Sequence, residues 1–287
     1  QAPYFLFVHY YDAHGPFRAG LGRLGSFRRN VPPRPVDIPV YQRMPNRRGG
    51  YHDDLEYYSD LYDASIREQD EALGRLLRGI DPDHSIVILI ADHGESLAER
   101  LRKGDHGTYV FGEQTHIPLL MRIPGFAPRR FGGLVETTDL VPSLLELLGL
   151  DVPGGAAEID GRSFVAALDS PTKSGRAHAV SIAAARASAF ADRDYELDPR
   201  FPIASIIAQA APHWKLIRYP GARGPVHELY RLETDPSERV DLAKTSPAAF
   251  RELSDQLDAE LPRLDEQLRT VLDEELQQQL EALGYIQ

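Results

Sequence analysis

The apolar residues of this chain change their spacing several times, and each change marks an element. Ser85-Ile86-Val87-Ile88-Leu89-Ile90 is apolar after its first residue, without polar alternation. That is the pattern of a strand covered on both faces and paired in parallel. Tyr4 to Tyr10 reads as an earlier strand, leading into the polar turn Asp12-Ala13-His14-Gly15-Pro16-Phe17. From Tyr58 the spacing becomes helical: Tyr58, Leu61, Tyr62, Ile66, Leu73, Leu76, Leu77 and Ile80 form one stripe of an amphipathic helix, which Asp81-Pro82-Asp83 ends. Residues 18 to 54 are rich in Gly, Pro and Arg and have no period, so they read as a long surface loop. Ile117 to Ile123 is a short apolar strand closed by Pro124-Gly125. Thr138-Asp139 then precedes Leu140, Val141, Leu144, Leu145, Leu147 and Leu148, a compact helix stopped by Gly149.

From about Pro171 the pattern shifts to β-rich runs at Ala179 to Ala185, Ala204 to Ala210, Trp214 to Tyr219 and Glu228 to Leu232, separated by turns. These predict a small antiparallel sheet of hairpins. Phe250 to Leu283 is rich in Leu and Glu at helical spacing and broken by Pro262, which predicts one or two terminal helices packed on the domain, with a coiled-coil surface as the alternative. The expected class is α/β, with a helix-flanked sheet over residues 1–170 and a carboxy-terminal subdomain over 171–287.

Composition narrows the function. A chain of 287 residues that is 42% hydrophobic buries a sizeable core. Its net charge of −11 argues against a general nucleic-acid binder. Arg28, Arg29, Arg34, Arg43, Arg47 and Arg48 nevertheless make the early loop basic, either as a solvated loop or as a rim that attracts an anionic substrate. There is no cysteine, so thiolate chemistry is excluded within the chain. No apolar run approaches the roughly 20 residues that span a bilayer. The chain starts at Gln1, almost directly on an expected core strand, which suggests a processed or partial chain whose upstream part carries the first strands.

The candidate chemistry sits at strand ends. The run through Ile90 terminates in Asp92-His93, a carboxylate and an imidazole suited to a divalent cation; the alternative makes Asp92 a helix cap and His93 a loop residue. Gly94 allows a sharp turn, and Glu95 either starts a helix or braces a ligand. His9, Asp12 and His14 follow the first strand, and Lys103, Asp105 and His106 follow the Asp92-His93 pair. Loops leaving neighbouring parallel strands at one end converge on a single crevice, so these histidines are expected to face one bound anion.

Tyr4-Phe5-Leu6-Phe7-Val8-His9-Tyr10 with Asp12-Ala13-His14-Gly15-Pro16-Phe17 resembles the sulfatase family's strand and His-x-Pro-aromatic turn. Ala91-Asp92-His93-Gly94-Glu95 resembles its metal-ligand strand end, and His106-Gly107-Thr108-Tyr109 through His116-Ile117-Pro118-Leu119-Leu120 the block after it. Thr138 to Leu145, Asp160-Gly161-Arg162-Ser163, Trp214 to Tyr219 and Glu228 to Pro236 are similar to later family blocks, in family order.

The resemblance implies an alkaline-phosphatase-like α/β fold, with residues 1–170 as the later part of its catalytic domain. It implies Asp92 and His93 as ligands of one divalent cation, calcium foremost, with manganese, magnesium or zinc as alternatives. His14 would hold the transferred group. His106 would take the place of a substrate-binding Lys or His, with Lys103 as second candidate. The implied substrate is a small or glycan sulfate ester, and the implied setting periplasmic, secreted or membrane-tethered.

Two features of the family are missing: its paired-Asp metal motif and its formylglycine precursor in Cys/Ser-x-Pro-x-Arg. Both are expected upstream of Gln1, and this chain alone is expected not to turn over. Asp53-Asp54 reads as helix-start charge. His116 stands where the family often has Arg. Alternative readings are a phosphonate or phosphate ester hydrolase or phosphoglycerol transferase of the same fold, and a noncatalytic anion- or glycan-binding module.

Overall fold

The computed structural model describes residues 3–17, 27, 35, 44, 50–52, 54–97, 104–107, 109–152, 154–155, 159–168, 175–183, 203–208 and 213–270. The chain forms two compact units, Gln1–Arg129 and Arg130–Gln287. The helix at Leu140, which the sequence reading groups with residues 1–170, belongs to the second unit.

The first unit is built on α1 (Leu55–Leu77), which begins where Asp54 accepts the Glu56 N–H in the manner of an N-cap. Asp54 therefore serves the helix start, as expected. Helical turns hold beyond the last buried residue, Ser65, but the apolar stripe is only half used. Leu55, Tyr58 and Leu61 are buried together with Phe17, whereas Ile66 and Leu77 stay exposed. The helix ends at Leu77, capped by Arg78, a few residues before the Asp81-Pro82-Asp83 stop. Two polar ties fix the preceding segment. Tyr58 donates its hydroxyl to the His52 carbonyl and accepts the Met44 N–H, both at 3.0 Å, and buried Asp60 accepts the Phe27 N–H at 3.0 Å.

The apolar run yields β1 (Val87–Ile90), but its partner overturns the parallel expectation. β1 pairs antiparallel with β4 (Leu119–Arg122), in register Val87↔Arg122 to Ile90↔Leu119, and its residues are half-buried. An apolar run reports burial and not partner direction, and here the intervening chain doubles back before β4. It does so through β2 (Ser96–Leu97) paired antiparallel with β3 (Gly104–Asp105), followed by the short helix α2 (Gly112–Thr115). No helix starts at Asp92, which removes the capping alternative. Gly94 matters for a different reason than the turn expected of it. Its N–H donates to the Gln114 carbonyl at 2.9 Å, and a Cβ there would stand 2.0 Å from the Glu113 carbonyl oxygen.

The expected strand over Tyr4–Tyr10 is not a ladder strand. Phe5 is 81% and Phe7 76% exposed, and Tyr4, Leu6 and Val8 are exposed as well. A strand is stable only when a neighbour takes its backbone hydrogen bonds, and no described segment does so here. The expectation rested on apolar pattern and on likeness to a family strand, and neither supplies a pairing neighbour.

In the second unit, α3 (Leu140–Leu147) ends as read from sequence: Gly149 takes the left-handed conformation, φ 66°, and Leu150 N–H reaches back to the Leu145 carbonyl. A short helix, α4 (Val165–Leu168), follows. The four β-rich runs form β5 (His178–Ala183), β6 (Ile203–Ala208), β7 (Trp214–Tyr219) and β8 (Val226–Arg231), an antiparallel meander in sequence order. Across one face lies α5 (Pro247–Thr270), whose Leu253 and Leu257 are buried against Ala204, Ile206, Leu216 and Leu229. Pro262 lies inside it without ending it, so of the one or two helices expected the described residues form one. A proline inside a helix removes one hydrogen bond and costs about 3 kcal/mol. Two buried leucines at roughly 1.5–3 kcal/mol each offset that, and so do the ion pairs Arg218–Asp258 at 2.7 Å and His178–Glu260 at 3.0 Å.

Asp139 is the hub of this unit. It is buried and accepts from the Glu136 N–H, the Arg162 N–H and both the Nε and Nη2 of Arg176, all within 2.9 Å. Burial pushes its carboxyl up, but the Arg176 guanidinium and the two backbone donors outweigh it and hold it below the ordinary 3.8. From sequence, Asp139 is expected only at a helix start and within a block similar to one of the family's.

Two outcomes follow from these contacts. Asp139→Asn, which breaks a buried pair, should cost about 3–5 kcal/mol at neutral pH in urea unfolding. Because the folded-state carboxyl is depressed, this stabilisation is present above the unfolded value and lost as pH falls through the folded one, so the gap between wild type and variant should narrow below about pH 3.8. Gly94→Ala should lower the urea midpoint by the equivalent of about 1–3 kcal/mol, with amide shifts confined to residues 92–95 and 112–115.

Candidate active site

The first unit gathers three imidazoles at the carboxyl end of β1. The rings of His93 and His106 stack with centroids 4.4 Å apart and planes 21° from parallel. His14 meets His106 edge-on at 5.0 Å, and Tyr11 stacks on His14 at 4.4 Å. Residues separated by 79 and 13 positions thus share one cluster, as the sequence reading expected of His14, His93 and His106. The route differs, because antiparallel pairing removes the shared strand ends invoked for convergence. The turn at 11–17 is instead anchored by Phe17 and the β2–β3 hairpin by Leu97, both packed on the Leu55, Tyr58 and Leu61 cluster of α1.

Each imidazole has its Nδ1 engaged. His93 Nδ1 lies 2.9 Å from the Gly94 carbonyl, so its Nε2 keeps the lone pair. That Nε2 is 3.7 Å from Asp92 Oδ2, a separation one cation about 2.0–2.4 Å from each can bridge. Asp92 uses Oδ1 to accept the His93 N–H at 2.9 Å, and its side chain is 56% exposed. The donor set therefore fits a divalent cation with positions left over for other ligands. His14 Nδ1 donates to the Gly15 carbonyl. Burial lowers the His14 pKa from 6.5, and His106 and His93 add to this, while the Gly15 hydrogen bond and the Glu95 carboxylate oppose it. His106 Nδ1 is 3.0 Å from Glu95 Oε2.

Other sequence candidates fall elsewhere. Lys103 lies outside the described residues, as do Arg28, Arg29, Arg34, Arg43, Arg47 and Arg48. His9 and Asp12 are exposed, and His9 packs on Phe7 and Tyr11. His116 is exposed and ends α2, its N–H donating to the Gly112 carbonyl. The sequence reading missed Tyr11 and the partner of Glu95. Neither leaves a periodic signal, since one depends on a turn and the other on hairpin register.

Chemically, such an arrangement can offer imidazole hydrogen bonds to a tetrahedral anionic group. Residues 1–150 match the family model described as Sulfatase, and residues 104–267 match N-sulphoglucosamine sulphohydrolase, C-terminal. Arylsulfatase K of Xenopus laevis is 24% identical over 218 residues, 74% of this chain and 36% of that protein. The phosphonate monoester hydrolase of Agrobacterium radiobacter superposes with a TM-score of 0.58 at 24% identity, covering 75% of this chain and 44% of that one. A protein solved with its substrate D-glucosamine-2-N,6-O-disulfate gives a TM-score of 0.56 at 22% identity, covering 74% and 42%. The chain spans less than half the length of each. With a family match over more than half its residues, the chain belongs to the sulfatase family, and it shares the α/β fold of these solved structures.

Proposed function

We propose that this chain supplies one wall of the active site of a metal-dependent sulfate ester hydrolase, with a sulfated sugar as substrate. The observation that carries the reading is the contact cluster of His14, His106 and His93 beside Asp92, within a chain of this family. Asp92 and His93 would hold the cation, through a carboxylate oxygen and Nε2. When bound, a divalent cation polarises a nonbridging oxygen of the ester and offsets its growing charge.

The chain's own side chains would act on the leaving oxygen. With Nδ1 of His106 and of His14 engaged by Glu95 and Gly15, Nε2 would be the nitrogen that either ring turns to an anionic group. A tetrahedral sulfate ester gains negative charge on its leaving oxygen as the S–O bond breaks. One imidazolium of the pair would donate its Nε2 proton to that oxygen and be left neutral with Nδ1–H in place, while the sulfuryl group passes to a nucleophile of the complete protein. Stacking of His106 on His93 excludes water from that face and keeps the donors in register. The sugar preference is supported by the disulfated glucosamine named as substrate of one structural neighbour. Phosphonate or phosphate monoesters are the second reading, favoured by the likeness to the phosphonate monoester hydrolase, since these donors do not distinguish tetrahedral phosphorus from sulfur.

In the complete protein, Asp92→Ala should remove cation-dependent hydrolysis of an aryl sulfate; undiminished turnover would sink the ligand assignment. His14→Ala should lower kcat by about 10²–10⁴ while elemental analysis finds the cation retained. Loss of cation in that variant would move His14 to the ligand set. Assaying phenylphosphonate against aryl sulfate under the same conditions separates the two readings by the ratio of kcat/KM.

A further inference from the structure

Glu95 is a buried carboxylate that the proposed reaction leaves without a task. Its side chain is 6% exposed, Oε2 lies 3.0 Å from His106 Nδ1, and Oε1 has no hydrogen-bond partner among the described residues. Burying a carboxylate costs free energy that a specific partner must offset, and the partner of Oε2 is His106. The hairpin explains the geometry. β2 and β3 pair Leu97 with Gly104 and Ser96 with Asp105, and one further step in that register sets Glu95 opposite His106. Residues directly opposite across an antiparallel pair have Cβ atoms about 4.5–5.5 Å apart, close enough for a carboxylate to grip an imidazole edge. His106 is in turn the ring that touches both others, stacked on His93 and edge-on to His14.

We infer that Glu95 is a positioning residue: it holds the proton on Nδ1 of His106, fixes the ring against His93, and so aims Nε2 at the anionic group. This rests on the sulfate ester reading for the identity of that group but not for the pairing itself. Glu95 touches neither substrate nor cation in this role. Gly94 supports it from the other side, because its close approach to Glu113 sets the path of the backbone entering Glu95.

The test is imidazole nitrogen NMR of the 287-residue chain at pH 8, with the His106 signals assigned through His106→Gln. In wild type, Nδ1 of His106 should carry the proton. An unprotonated Nδ1 overturns the inference however the variants behave. Glu95→Ala should release that proton, seen as at least tenfold faster exchange or a switch to the Nε2–H form, whereas Glu95→Gln, whose amide carbonyl still accepts, should retain it. A merely space-filling role predicts the same His106 spectrum in all three, and that result also overturns it. In the complete protein, Glu95→Ala should lower kcat with KM nearly unchanged, and Glu95→Gln should recover most of it. If wild type hydrolyses no sulfate or phosphonate ester while the NMR result holds, the positioning role stands and the functional reading fails.

Discussion

The candidate site depends on one small apolar cluster. Phe17, Leu55, Tyr58 and Leu61 are buried together, with Tyr62 and Leu97 against them, and the Phe17 ring meets Tyr62 edge-on at 5.3 Å. Phe17 lies three residues after His14 and Leu97 two residues after Glu95. Helix α1 thus seats both arms of the site on a common base. Burying four such side chains yields roughly 1.5–3 kcal/mol apiece, whereas a ring pair contributes about 0.5–1.5 kcal/mol beyond its area. The imidazole contacts are therefore a consequence of this packing rather than its cause, and charging more than one of the rings would oppose them.

Polar groups do the corresponding work in the second unit. Asp139 gathers the start of α3, the Arg162 backbone and Arg176 in one buried network, and Arg176 also reaches Glu136 at 3.0 Å. Glu136 in turn accepts the Val180 N–H at 2.8 Å, which links the network to β5. Gly161 is required beside it, since a Cβ there would stand 1.8 Å from the Thr138 carbonyl oxygen. Buried Lys215–Glu238 and the two tyrosine hydroxyls on Glu228 add further specific pairings. Each is satisfied only in one arrangement, so these groups select a unique packing more than they add net stability.

Where sequence and structure part, the cause is nonlocal. The stripe of α1 is helical along its length, but its fully buried residues all lie in the first half. The run before Asp92 is a strand, yet its direction of pairing was set by the hairpin and α2 that return the chain to β4. Tyr4 to Val8 has the composition of a strand, but no described segment pairs with it.

Sequence by itself determined the α/β class, α1, the apolar strand before Asp92, the compact helix stopped by Gly149, and the antiparallel meander, because each of these is written in local spacing and turn residues. It also placed Asp92, His93, His14 and His106 as a candidate set, through motifs similar to the sulfatase family's. Tertiary structure alone decided that Glu95 faces His106, that Tyr11 covers His14, that Gly94 is needed for close approach, and that Asp139 is a hub. Those facts depend on register and on contacts between segments tens of residues apart, and neither is encoded in the period of any one segment.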